Sequence, residues 1–194
     1  MEQLLNLDKE LFVFLNGLGS EPFDSFWLLI TKQFNWTPYF LILLFIIQRK
    51  IGWKNLGIVL LFVAAIITFT DQFTNLFKNG FQRLRPCNTV DILDKIRVVQ
   101  HSDTFSFFSG HAANSTASMT FIFLLLRKYY KYAFVVYLFP LVFAYSRIYL
   151  GLHFPVDILT GYFFGVVFGI LFYKIYEGFM RKYPKLSIDL SVLI

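Results

Sequence analysis

The strongest constraint on this chain is a series of apolar stretches, starting near Phe23 and ending near Tyr176, almost free of charge and separated by short polar or basic turns. Hydrocarbon offers no partner to a bare peptide group, so stretches of this kind cross a membrane with their backbone bonds closed internally, as helices do. Composition agrees: 57% hydrophobic against 15% charged residues is too apolar for an ordinary soluble domain. An aromatic share of 21%, led by 26 Phe, suits helices that face lipid. The reading is therefore an all-α integral membrane bundle, a single domain over residues 1–194.

Five spans are expected, at 23–47, 53–77, 109–126, 132–149 and 155–176. The first should kink between Asn35 and Pro38, because Pro38 cannot donate a backbone bond. Ahead of them, Leu4, Leu7, Leu11, Phe14 and Leu15 recur at helical spacing, so 3–17 reads as an amphipathic helix on the membrane surface, with a truncated first span as the alternative. Glu2, Asp8 and Glu10 against Lys9 alone give this segment no basic leader, so it does not read as a signal peptide. Cys87 is the one cysteine, which rules out an intrachain disulfide.

The net charge of +6 is compatible with nucleic-acid binding until the basic residues are located. Arg49, Lys50 and Lys54 follow the first span, Arg127, Lys128 and Lys131 the third, and Lys174, Arg181, Lys182 and Lys185 the fifth. All fall on one side, the positive-inside pattern, so no nucleic acid is needed and those loops are cytoplasmic. The 79–108 loop and the turn around 151–154 then lie on the external face.

Three polar clusters sit at external helix ends. In KNGFQRLRP, Lys78 closes the second span and Pro86 holds Arg85 extended; taken alone, these cations need only neutralise a helix end or snorkel. In FSGHAANS, Ser109 reads as an N-cap with Gly110 and His111 opening a helix whose amides attract anions, or simply as a capped helix with an incidental histidine. In SRIYLGLHFPVD, Pro155 starts a helix, so Asp157 falls in its first turn and reaches back to His153; complementing the helix dipole would explain Asp157 but neither His153 nor Arg147. Together the clusters offer three cations, neutral donors and two histidines on one membrane face, which suits a phosphoryl group.

These residues resemble the type 2 phosphatidic acid phosphatase family, whose signature is Lys, six residues, Arg-Pro; then Pro-Ser-Gly-His; then Ser-Arg, five residues, His, three residues, Asp. Here the elements are Lys78 to Arg85-Pro86, Phe108 to His111, and Ser146-Arg147 to His153 and Asp157, with Phe108 where the family often has Pro. The resemblance covers roughly residues 53 to 176. It implies a six-span core here lacking a full first span, His153 as nucleophile, Asp157 orienting it, and His111 as general acid. Lys78, Arg85, Ser109, Gly110 and Arg147 would bind phosphate, with neither metal nor cofactor. The implied substrate is a membrane lipid phosphate, such as phosphatidic acid, phosphatidylglycerol phosphate, a polyprenyl diphosphate or phosphorylated lipid A, met at the outer face of a bacterial inner membrane. A phosphotransferase using the same phosphohistidine, or a carrier without chemistry, are the alternatives. Oligomeric state stays open: Gly161, Gly165 and Gly169 line one face of the fifth span and suit close packing, within the monomer or between copies. Trp27, Trp36 and Trp53 read as interface anchors.

Overall fold

In the computed structural model, residues 2–183 are described, and among them every regular element is helical. Helix α1 spans Glu2–Gly17. Its stripe of Leu4, Leu7, Leu11 and Phe14 is exposed, whereas Asp8, Phe12 and Asn16, spaced four apart, are buried against the bundle. The apolar stripe thus faces outward, as an interfacial helix presents itself to lipid, and the inward face carries Asp8 and Asn16 on either side of the core residue Phe12.

The stretch expected as one span over 23–47 is broken rather than kinked. Helix α2 covers only Asp24–Ile30, and α3 begins at Thr37. The break is held by side chains that reach back to the last carbonyls of α2: Asn35 Nδ2 donates to Leu29 O at 2.8 Å and Trp36 Nε1 to Ile30 O at 2.8 Å. Pro38, in the first turn of α3, has no N–H to lose there. Trp36 is thereby a structural side chain, packed edge-on against Phe139, whereas Trp53 is exposed.

Helix α3, Thr37–Phe81, is interrupted at Gly52, whose φ of 73° and ψ of 169° only glycine adopts readily. Phe40, Leu43, Leu44 and Ile47 before the break, and Val59, Leu60, Val63 and Ile67 after it, line the same groove, so the two arms fold back beside each other. The second arm runs to Phe81, one turn past the expected end, which puts Lys78 in its last helical turn. Helix α4 is Gly110–Leu126 and α6 is Pro155–Lys182. Between them, the expected span 132–149 is not one α-helix: a 3-10 turn over Ala133–Tyr137 precedes α5, Leu138–Tyr149. Pro140 accounts for this, since it has no N–H to give the carbonyl four residues back. By length and composition, α6 and the α3 region are each able to cross a membrane.

Helices α4 and α6 make the closest pair. A Cβ on Gly161 would lie 2.8 Å from Ala112 Cβ, one on Gly165 2.7 Å from Thr116 Cβ, and one on Gly169 2.5 Å from Thr120 Cβ. The glycine stripe is used inside the monomer. Phe108 is fully buried beside it, stacked on Phe164 at 5.1 Å. Basic residues gather at the far end of this pair, where Lys128 bonds Glu177 at 3.0 Å and Lys50 lies 5.4 Å from the Tyr130 ring centre. Lys185 lies outside the described residues. The N-termini of α4 and α6 point the other way, toward the polar clusters.

Candidate active site

The site is assembled where α5 ends and α6 begins. Past Arg147 the chain turns at Gly151, with a φ of 85°, and the N–H groups of Leu152 and His153 both return to Arg147 O, at 2.9 and 3.3 Å. The segment after α3 closes over this turn: Cys87 N donates to Gly151 O at 3.1 Å and Gln100 N to Leu150 O at 3.2 Å. Arg85 is extended (φ −76°, ψ 157°), as the residue before Pro86 should be. Its side chain is thereby delivered to His153.

Arg85 makes four contacts. Nε donates to Thr104 O at 2.8 Å, Nη2 to Thr104 Oγ1 at 2.8 Å, and Nη1 to Leu152 O at 2.9 Å while lying 3.1 Å from His153 Nε2. A guanidinium only donates, so Nε2 presents its lone pair and the ring proton sits on Nδ1. His153 is 1% exposed. Burial, reinforced by the charges of Arg85, Arg147 and Lys78, holds its pKa well below the usual imidazole range, which keeps the ring neutral.

Asp157 lies in the first turn of α6, with Oδ2 3.4 Å from His153 Nδ1 but off the hydrogen-bond line. Its shorter bonds go elsewhere. Oδ2 accepts from Phe154 N at 2.9 Å, and Oδ1 from Arg83 Nη1 at 2.7 Å. Arg83 Nη2 in turn donates to Asp8 Oδ2 at 2.6 Å, and Asp8 Oδ1 accepts from Val156 N at 2.9 Å. The Arg83 guanidinium lies 4.2 Å from the Phe154 ring centre. Asp8 on α1, Arg83 and the start of α6 therefore form one clamp around Asp157. Neither Asp8 nor Arg83 stands out in the sequence, because nothing local says that residues 75 apart will meet.

The remaining predicted residues surround the mouth of the groove. Arg147 is 7% exposed; Nη1 donates to Thr31 Oγ1 at 2.7 Å in the break after α2, and Nε has no partner among the described residues. Lys78, Gly110 and His111 line the groove together, with the His111 ring 5.1 Å from that of Phe143. Ser109 caps α4, its Oγ accepting from Ala112 N at 3.4 Å, and its own N–H donates to Asp157 O at 3.0 Å, tying the two helix starts together. Among the described residues, no carboxylate lies within 4.0 Å of the nitrogens of Lys78, Arg85 or Arg147.

A model of the PAP2 superfamily matches residues 55–181. The chain belongs to the PAP2 superfamily. As a member it is similar to a lipid A 4'-phosphatase of Bacteroides thetaiotaomicron, 36% identical over 90% of this chain and 79% of that protein. It also matches a lipid A 4'-phosphatase of Porphyromonas gingivalis, 30% identical over 91% of this chain and 75% of the relative. Its fold resembles that of the transmembrane PAP2-type phosphatidylglycerolphosphate phosphatase from Bacillus subtilis, with a TM-score of 0.68, 21% identity, and coverage of 94% of this chain and 89% of that one. The PAP2 match begins within the second arm of α3, so α1 and its Asp8 fall outside the matched region.

Proposed function

We propose that this PAP2 lipid phosphatase hydrolyses a phosphate monoester or diphosphate of a membrane lipid at the external face, through a phosphohistidine on His153. The observation that carries the reading is the convergence of Lys78, Arg85 and Arg147 on a neutral His153, with no carboxylate within 4.0 Å of their nitrogens among the described residues. Unpaired buried cations are costly, and a phosphate is the group that would compensate them.

In the first step the Nε2 lone pair forms a bond to phosphorus as the bond from phosphorus to the leaving oxygen breaks, and His111 gives that oxygen a proton. Arg85 leaves Nε2 and turns its N–H groups to the phosphoryl oxygens, joined by Lys78, Arg147, the Ser109 hydroxyl and the Gly110 amide. Asp157 faces Nδ1–H and stabilises the charge that the ring gains. In the second step water attacks phosphorus, His111 accepts its proton, the P–N bond breaks and phosphate departs. The groove of about 540 Å³ leading from Lys78 and His111 past Phe40, Leu43 and Ile47 suits the apolar part of the lipid. The basic loops at the opposite end support an external site through the positive-inside asymmetry. The names of the Bacteroides and Porphyromonas relatives support a phosphorylated lipid A among the substrates.

The test is free phosphate released by detergent-purified protein from lipid phosphates and diphosphates in EDTA, alongside His153→Ala. Release that survives chelation and vanishes in the variant supports the reading. Release that persists in His153→Ala would end it, and a phosphorylated acceptor in place of free phosphate would make the enzyme a transferase.

A further inference from the structure

The break between α2 and α3 is built with more care than a connection needs. Residues 24–37 contain neither Gly nor Pro, so nothing local forces a helix to stop there. The stop is nonetheless tightly tied. Thr31 N donates to Trp27 O at 3.0 Å, Lys32 N to Leu29 O at 3.2 Å and Asn35 N to Lys32 O at 3.0 Å, besides the side-chain bonds of Asn35 and Trp36. Held in this way, the stretch touches the site at three places. Thr31 Oγ1 accepts from Arg147 Nη1 at 2.7 Å. Gln33 lines the groove together with Lys78 and His111. Trp36 packs edge-on against Phe143 at 6.5 Å, the ring that lies 5.1 Å from that of His111. All three residues lie ahead of the PAP2 match over residues 55–181.

The contact made by Thr31 bears most directly on the chemistry. Thr31 is buried, and its hydroxyl gives the Arg147 guanidinium its one hydrogen bond among the described residues, with Nε left open. A hydroxyl oxygen accepts a hydrogen bond without bringing a charge. It therefore fixes one N–H of a planar guanidinium, and with it the direction of the others, while leaving the positive charge whole for an anion. A carboxylate in the same place would hold Arg147 as firmly but would compete with phosphate for it. Arg85 is held on the same principle, its Nη2 donating to Thr104 Oγ1 at 2.8 Å.

We infer that Thr31 is a positioning residue of this phosphatase: its hydroxyl aims the Arg147 guanidinium at the phosphate of the substrate, which makes the break after α2 a part of the active site. The contact explains why the chain keeps a buried hydroxyl at the end of α2 where an apolar side chain would fill the space. Thr31 acts through Arg147 and touches no reacting atom. The inference rests on the phosphate-binding role given to Arg147 above, and adds the group that orients it.

The experiment is a double-mutant cycle on the full chain in detergent micelles, with Thr31→Val, Thr31→Ser, Arg147→Met and the Thr31→Val/Arg147→Met pair. Measured for each are kcat/KM on the lipid phosphate that wild type hydrolyses fastest, inhibition by inorganic phosphate, and a thermal melt. Valine matches the shape of threonine without its hydroxyl, so the fold should survive. Thr31→Val should lower kcat/KM by about 10- to 100-fold, the scale of one hydrogen bond to a charged group, and weaken phosphate inhibition with it. Thr31→Ser should keep most of the activity, and Thr31→Val should cause no further loss once Arg147→Met is in place. An equal loss in both backgrounds, or a loss that Thr31→Ser shares together with a lower melting temperature, overturns the inference and leaves Thr31 as a helix end. So does full activity in Thr31→Val beside a crippled Arg147→Met. Full activity in Arg147→Met defeats the phosphate-binding role of Arg147 itself, and the inference falls with it.

Discussion

Arg83 and Arg85 are two residues apart, and the fold treats them in opposite ways. Arg83 is held between two buried carboxylates, Asp8 at 2.6 Å and Asp157 at 2.7 Å. Among the described residues, Arg85 meets only carbonyls, a hydroxyl and the ring nitrogen of His153. Arg147 on α5 shares the second condition, buried with one nitrogen unpartnered among the described residues. A cation compensated by protein builds structure; a cation left uncompensated by protein is free to be compensated by substrate. The same few ångströms around His153 thus contain a region whose charges are paired within the protein and a region whose cations, on the proposed reading, are left for the phosphate of the substrate.

The comparison is broken most directly at Arg147. Arg147→Met should reduce kcat/KM for a lipid phosphate by about 100- to 1,000-fold, the scale for losing one charged donor to a transition state. Its melting temperature should hold or rise, because a buried charge without a counter-ion has been removed. A melting temperature that falls as far as that of an Arg83 variant would show that Arg147 is structural too.

Arg83→Met tests the other side. It strands Asp8 and Asp157 without their cation, and a broken buried pair costs about 3–5 kcal/mol. A marked fall in melting temperature is expected, along with a drop in kcat that exceeds the change in KM, since the clamp positions Asp157 rather than touching substrate. Arg83→Lys should restore part of both. A KM effect alone, with stability intact, would move Arg83 into the phosphate-binding group.

Gly165→Ala probes the scaffold common to both regions. The new Cβ would sit 2.7 Å from Thr116 Cβ and 2.8 Å from Ala113 O, so α4 and α6 must part. Overpacking of this kind costs about 1–3 kcal/mol, read as a lower melting temperature, and activity should fall with it because Ser109 on α4 and Asp157 on α6 are tied directly. Unchanged melting would mean that the helix pair has slack.

The smallest effect is pH-dependent. The pKa of His153 is depressed in the folded chain, so below about 6.5 the unfolded state takes up a proton that the folded state refuses. Folding is therefore free of this penalty above that pH and loses stability as pH falls below it. Melting measured between pH 7.5 and 5.5 should decline more for wild type than for His153→Gln. Parallel declines would argue that the ring protonates in place.

Much was legible in the sequence where information is local. Hydropathy marked the long apolar helices of the α3 region and α6, and the basic residues marked one end of the bundle, because both properties belong to consecutive residues. Motif spacing located Ser109 at the start of α4 and Asp157 in the first turn of α6, since capping is settled within one turn. Less legible was where helices stop. The break after α2 depends on Asn35 and Trp36 reaching back to carbonyls six residues away, and the 3-10 entry to α5 on Pro140, so continuous apolar runs over 23–47 and 132–149 gave way to interrupted ones.

What the sequence by itself determined was the membrane setting, the helical class and the inventory of groups suited to phosphate. The tertiary structure alone decided which of those groups are neutralised. Arg83 meets Asp8 across 75 positions, Arg147 meets Thr31 across 116, and Asn114 meets Asp71 across 43. Charge is written at every position, but compensation is a property of pairs, and pairs between helices exist only once packing has set the helices side by side.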